Sequence, residues 1–259
     1  MVRLLIWTLM FLSTPCFAQE DATASASIKA ESVEAQLLVA KQVKGEARGL
    51  RGIARIKQMK AAAEAFQAVA HFWPKEKEQV VEANFRRGEV LRSIGEAGAA
   101  RGAFEDVIGV LKSGNDYVVR AYLELGHLCR RAFEHQEALD YYAKAKNCKK
   151  VSLRYNNDGR EWLARVNLEV FAWKEAQYAA KDWEKHAEGP VEEVKARDLQ
   201  ILAILGGGQR RVAEKELDKL RRQMKRLASA PTREGRQLEK ALDAMKAPKA
   251  IELQRTNGR

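Results

Sequence analysis

The chain is 259 residues long, with 46 Lys and Arg against 35 Asp and Glu and a formal charge of +11. That length excludes a disulfide-held miniprotein and allows one domain with a sizeable core or a stack of several units. Beyond the first dozen residues no apolar run is long enough to cross a bilayer, which excludes a multispanning helical membrane protein.

The first residues have the pattern of an export signal. Arg3 supplies positive charge, Leu4 to Leu12 are a short apolar run, and Cys16-Phe17-Ala18 offers a small-x-small cleavage site. Residues 1–18 are therefore expected to be a signal peptide, with a mature, periplasmic or secreted chain starting at Gln19. Residues 19–30 are small and polar and read as a flexible spacer.

From residue 31 the composition of Ala, Leu, Glu, Lys, Arg and Gln, without period-two alternation, predicts helix throughout. A first helix falls within Leu38 to Ile56, weakened by Gly45, Gly49 and Gly52, and is followed by Ala61 to Phe72. Three further pairs are Val80–Gly95 with Ala97–Lys112, Tyr117–Phe133 with Gln136–Lys146, and Arg160–Ala172 with Glu175–Ala187. Asn156-Asn157-Asp158 reads as a break there, with Asp158 and Glu161 as a capping box. Val191–Leu205 and Arg210–Leu227 form the last pair, ended by Ala230-Pro231-Thr232. The repeat region spans 31–228, a capping helix 229–246, and a disordered basic tail 247–259. Gly206-Gly207-Gly208 lacks the Lys and Ser or Thr of a phosphate loop and reads as a helix terminator.

Ala62 with Phe66, Ala100 with Phe104, Ala138 with Tyr142 and Ala176 with Ala180 recur every 38 residues. A fixed period of this size marks stacked supersecondary units that bury their apolar faces on one another. Tyr122-x-x-Leu125-Gly126-x-x-Cys129, then Ala138, Tyr142 and Ala145, resembles the tetratricopeptide repeat, with weaker counterparts on both sides. The resemblance implies an all-α, right-handed solenoid of about four to five antiparallel hairpins. The usual period of that family is 34 residues. The Gly-to-Ala spacing within each unit is conventional, so the surplus falls between units, as longer helices or longer loops.

No catalytic or metal-binding constellation is legible: His71, His127, His135 and His186 lack ligand spacing, and no nucleophile motif is present. No cofactor is expected. In an oxidising compartment Cys129 and Cys148 could pair, although they fall too far apart along a hairpin for a disulfide without distortion. The resemblance instead implies a partner-binding groove lined by first helices, including Phe85, Arg92, Leu123, His127, Arg130, Arg131 and Arg165. An arginine trough with an apolar floor suits a protein partner or an extended, acidic peptide. In the alternative reading these arginines pair with Glu89, Glu124, Glu161 and Glu169. Trp162 and Phe171 read as packing, while Trp173, in a turn, is a possible exposed anchor. From Gln209 to Arg259 there are 15 Lys and Arg against 7 Asp and Glu, a net +8. This makes an anionic envelope surface, lipid or polymer, the alternative partner; export argues against nucleic acid.

Overall fold

The computed structural model describes residues 28–257, and among them every regular element is a helix. The expected signal peptide and residues 19–27 of the expected spacer lie outside the described residues. Five hairpins follow one another: α1 (Val33–Glu46) with α2 (Gly52–Phe72), α3 (Lys77–Ser93) with α4 (Ala97–Val110), α5 (Asp116–Arg131) with α6 (His135–Lys146), α7 (Leu153–Glu169) with α8 (Trp173–Lys185), and α9 (Pro190–Gly206) with α10 (Arg210–Ala228). Two shorter helices, α11 (Arg233–Asp243) and α12 (Ala247–Asn257), close the far end against α9 and α10. Odd-numbered helices of neighbouring hairpins pack on one another, whereas the backbones of α2, α4, α6, α8 and α10 stay apart and meet through long charged side chains, as at Arg101–Glu137 and Lys146–Asp182. The stack therefore curves with the odd-numbered helices on its inner side.

Four of the hairpins share one turn. Gly95, Phe133, Phe171 and Gly208 each take positive φ, at 85°, 61°, 60° and 79°. In each turn the next residue's N–H donates back to the helix: Glu96 to Leu91 O, Glu134 to Cys129 O, Ala172 to Asn167 O and Gln209 to Ile204 O, all within 2.8–3.1 Å. These bonds satisfy carbonyls that a helix end leaves open and fix the reversal of direction. Beyond the turn, small residues set the crossing distance. A Cβ at Gly88 would stand 2.5 Å from Phe104 Cε1, and one at Gly126 would stand 2.6 Å from Tyr142 Cε1. Ala100, Ala138 and Ala176 are fully buried on the partner helices. In the α7–α8 hairpin Ala164 and Ala180 meet instead, and Trp183 fills the remaining space.

Four expectations need correction. The break at Asn156-Asn157-Asp158 is absent, because α7 begins at Leu153 and runs through it. Asn156 Nδ2 donates to the carbonyls of Ala145, Lys146 and Cys148 at 2.8–3.1 Å, satisfying the end of α6. Asn157 Nδ2 donates to His186 O at 2.8 Å, at the end of α8. Gly159 lets α7 approach the α6 backbone, since a Cβ there would lie 2.8 Å from Lys146 N. The residues that spell a turn locally are used here to join one helix to its neighbours.

The tail after Ala247 is also not disordered up to Asn257. Asp198, on α9 and almost buried, accepts from the N–H groups of Lys246 and Ala247 at 2.9–3.1 Å and so caps α12. Ile251 then packs into the terminal core. At the other end, Ile28–Ala30 do not form a free spacer: Ala30 N–H donates to Gln36 Oε1 at 2.8 Å and Lys29 Nζ lies 4.6 Å from the Trp73 ring centre. α2 also starts earlier than expected, at Gly52, so Ile53 and Ile56 belong to it and not to the first helix.

Candidate binding face

The inner side of the stack carries a ladder of ion pairs between successive odd-numbered helices. Lys41 of α1 meets Glu82 of α3 at 3.0 Å, and Arg120 of α5 meets Glu89 of α3 at 3.2 Å. Arg92 of α3 meets Glu124 of α5 at 3.3 Å, and Arg130 of α5 meets Glu169 of α7 at 3.1 Å. Arg165 pairs with Glu161 within α7 at 2.7 Å. Most of these groups remain partly solvated, and such pairs hold at most about 1 kcal/mol and open easily for a competing charge; the Glu124 carboxylate beside Arg92 is the more buried exception. Arg131 is exposed and makes no ion pair among the described residues. Together with Arg92 it flanks a shallow depression of about 410 Å³ floored by Leu128.

At the centre of this face the half-buried Trp162 ring stacks on Tyr142, centroids 5.9 Å apart, and meets the edge of His127 at 4.8 Å. The guanidinium carbons of Arg130 and Arg165 lie 4.8 and 5.7 Å from the Trp162 ring centre. His127 Nδ1 and the Tyr142 hydroxyl share a hydrogen bond at 2.7 Å. Burial, reinforced by the charges of Arg131, Arg130 and Arg92, lowers the His127 pKa to about 4. The imidazole is therefore neutral at physiological pH and locks the Tyr142 ring under Trp162. Glu124 is shifted upward by burial, against the pull of Arg92 and Arg131.

Neither a protein-family model nor a curated protein sequence matches the chain. Solved structures do. A crystal structure of MamA protein superposes with a TM-score of 0.57 at 18% identity, covering 77% of this chain and 97% of that one. BtubC (BKLC) from P. vanneervenii gives 0.51 at 14%, over 78% and 95% of the two chains. A kinesin light chain from Podosopora anserina with nearly identical TPR-like repeats gives 0.51 at 15%, over 78% and 95%. The chain has a tetratricopeptide-like fold. At these identities the likeness extends to the fold alone.

Within this tetratricopeptide-like frame the site residues expected from sequence separate into two groups. Arg92, His127, Arg130, Arg131 and Arg165 come together on the inner face of α3, α5 and α7. Phe85 and Leu123 do not line it: Phe85 is 1% exposed, packed on Phe104 and Tyr117, and Leu123 is 6% exposed in the same core. Both point between helices, because the apolar stripe of a first helix must cover its own second helix. Trp173 is not an exposed anchor. Its ring covers Gly206, whose Cβ would lie 2.5 Å from Trp173 Cε3, so the first of the three glycines makes room for it. Phe171, read as packing, is 71% exposed, as are Phe133 (82%) and Tyr178 (73%). Trp162 is the aromatic that sequence spacing assigns to packing and that the structure places on the face.

Cys129, Glu134 and Glu137 bring ligand-type atoms within 4.8 Å of one another. Arg101 already supplies the cation there, bonding Glu134 at 2.9 Å and also Glu137. Burial pushes the Cys129 thiol up to about 12, and both Cys129 and Cys148 are free. No described helix is long and apolar enough to cross a membrane.

Proposed function

We propose that the protein is a non-catalytic scaffold whose inner face, between α3, α5 and α7, holds an extended acidic segment of a protein partner. The observation that carries this reading is Trp162 held between Arg130 and Arg165, with Arg131 of the same helix as Arg130 in no ion pair among the described residues. An indole edge accepts a side chain or the flat of a peptide unit, and arginine forks accept carboxylates. The ladder is suited to exchange at Glu169, whose carboxylate is solvated enough to leave Arg130 at little cost. The signal-like segment 1–18 supports a setting outside the cytoplasm. A pull-down from native extract with the chain and with a Trp162→Ala/Arg131→Ala variant tests the proposal. The partner is lost in the variant at a temperature where the variant remains folded; retention of every partner contradicts the assignment.

A second reading rests on α10. Its outer side exposes Arg211, Lys215, Lys219, Arg222 and Arg226, none in an ion pair among the described residues. This basic stripe suits an anionic lipid or polymer surface, with the repeats as a rigid support. Binding carried by it falls steeply with salt and disappears on removal of residues 209–259, whereas the groove partner stays bound.

A further inference from the structure

The corner between α1 and α2 departs from the other four hairpins. Ala47–Arg51 replaces the three-residue turn, with Gly49 at φ 84°. The position 38 residues before Gly88 is Leu50, which lies in this turn and not on a first helix. Phe66, the counterpart of Phe104, thus lacks the glycine contact that closes the α3–α4 crossing. Gly45 on α1 does not supply it, as nothing stands within 4 Å of where its Cβ would be. A cavity of about 510 Å³ remains above Phe66 and Met59.

Its walls carry Lys41, Lys44, Arg48, Arg55 and Arg86, and no carboxylate. Lys41 is matched by Glu82 at 3.0 Å and Arg86 by Glu89 at 2.9 Å. Lys44, Arg48 and Arg55 make no ion pair among the described residues. Glu46, their nearest acid in sequence, accepts from Gln58 at 2.8 Å and does not line the cavity. Three cations facing one concavity are not neutralised by a single carboxylate. A phosphate monoester or pyrophosphate, with two or more charges and tetrahedral oxygens, matches both the charge and the arginine forks. The volume lies in the range of small-molecule sites and exceeds what a bare ion fills.

We propose that this corner is a binding site for a phosphate-bearing ligand with two or more negative charges, separate from the inner face and independent of its function. Such a group comes either from a phosphorylated small molecule or from the headgroup of phosphatidic acid.

Calorimetric titration of the full chain with inorganic pyrophosphate, and flotation with phosphatidylcholine vesicles with and without phosphatidic acid, tests this. An Arg48→Gln/Arg55→Gln variant weakens whichever interaction is present by about tenfold or more, while a Lys174→Gln/Lys181→Gln variant on α8, exposed and in neither binding region, does not. Pyrophosphate binding alone identifies a soluble ligand, and flotation that needs phosphatidic acid identifies the headgroup. Absence of both, or equal loss in the two variants with unchanged thermal unfolding, overturns the proposal.

Discussion

Phe133 and Phe171 hold a left-handed backbone conformation at turn positions where Gly95 and Gly208 serve the neighbouring hairpins. A Cβ-bearing residue is disfavoured there by about 1–2 kcal/mol, more than the roughly 0.5–1 kcal/mol of extra chain entropy that glycine loses on folding. Their rings are mostly solvated and add little packing. Phe133→Gly and Phe171→Gly are therefore each expected to raise stability by roughly 0.5–1 kcal/mol in urea unfolding. Gly126→Ala has the opposite sign, because its methyl meets the Tyr142 ring; a loss of about 1–3 kcal/mol is expected. His127 adds a pH signature. Its folded pKa lies below the unfolded value, so its contribution is complete above about pH 6.5 and is lost as pH falls toward 4. Between about pH 7 and pH 5 this amounts to about 2 kcal/mol. Glu124, raised by burial, titrates in the opposing sense. The difference in melting temperature between the native chain and His127→Gln across that range isolates the histidine, and parallel curves would remove it from the account.

At the level of elements, the interval of 38 residues was readable because close crossings demand small residues at fixed places, and Gly88, Gly126, Ala100, Ala138 and Ala176 all occupy such crossings. Asn156-Asn157-Asp158 misled because Asn and Asp signal a turn only when their side chains bond their own backbone. Here Asn156 and Asn157 reach carbonyls of α6 and α8, contacts that span 8–29 residues and have no local signature. The helix at the tail was hidden for the same reason. Its cap, Asp198, lies 49 residues before Ala247 in the chain. Asp198→Ala should release α12, costing about 1–3 kcal/mol and accelerating amide exchange in residues 247–257 ahead of α9. Unchanged protection there would show that Ile251 packing alone holds the helix.

Across the whole molecule, the first helices pack side by side to form one curved face, and most charges on it are answered by a neighbour one hairpin away. Five of the groove residues legible in the sequence meet on that face, since the repeat register dictates which side of a first helix turns inward. Phe85 and Leu123 were misplaced because their positions lie at the boundary between the inner face and the crossing, and only packing decides which side an apolar residue takes. The inner face and the outer sides of the second helices point in different directions, and a photo-reactive residue placed on each separates them. A crosslinker at Leu168, on α7 of the inner face, is compared with one at Tyr178, exposed on α8. The proposed scaffold predicts a discrete crosslinked partner from Leu168 that disappears with Trp162→Ala/Arg131→Ala, and none from Tyr178. A partner captured from Tyr178 alone, or from Leu168 regardless of those two substitutions, would contradict it.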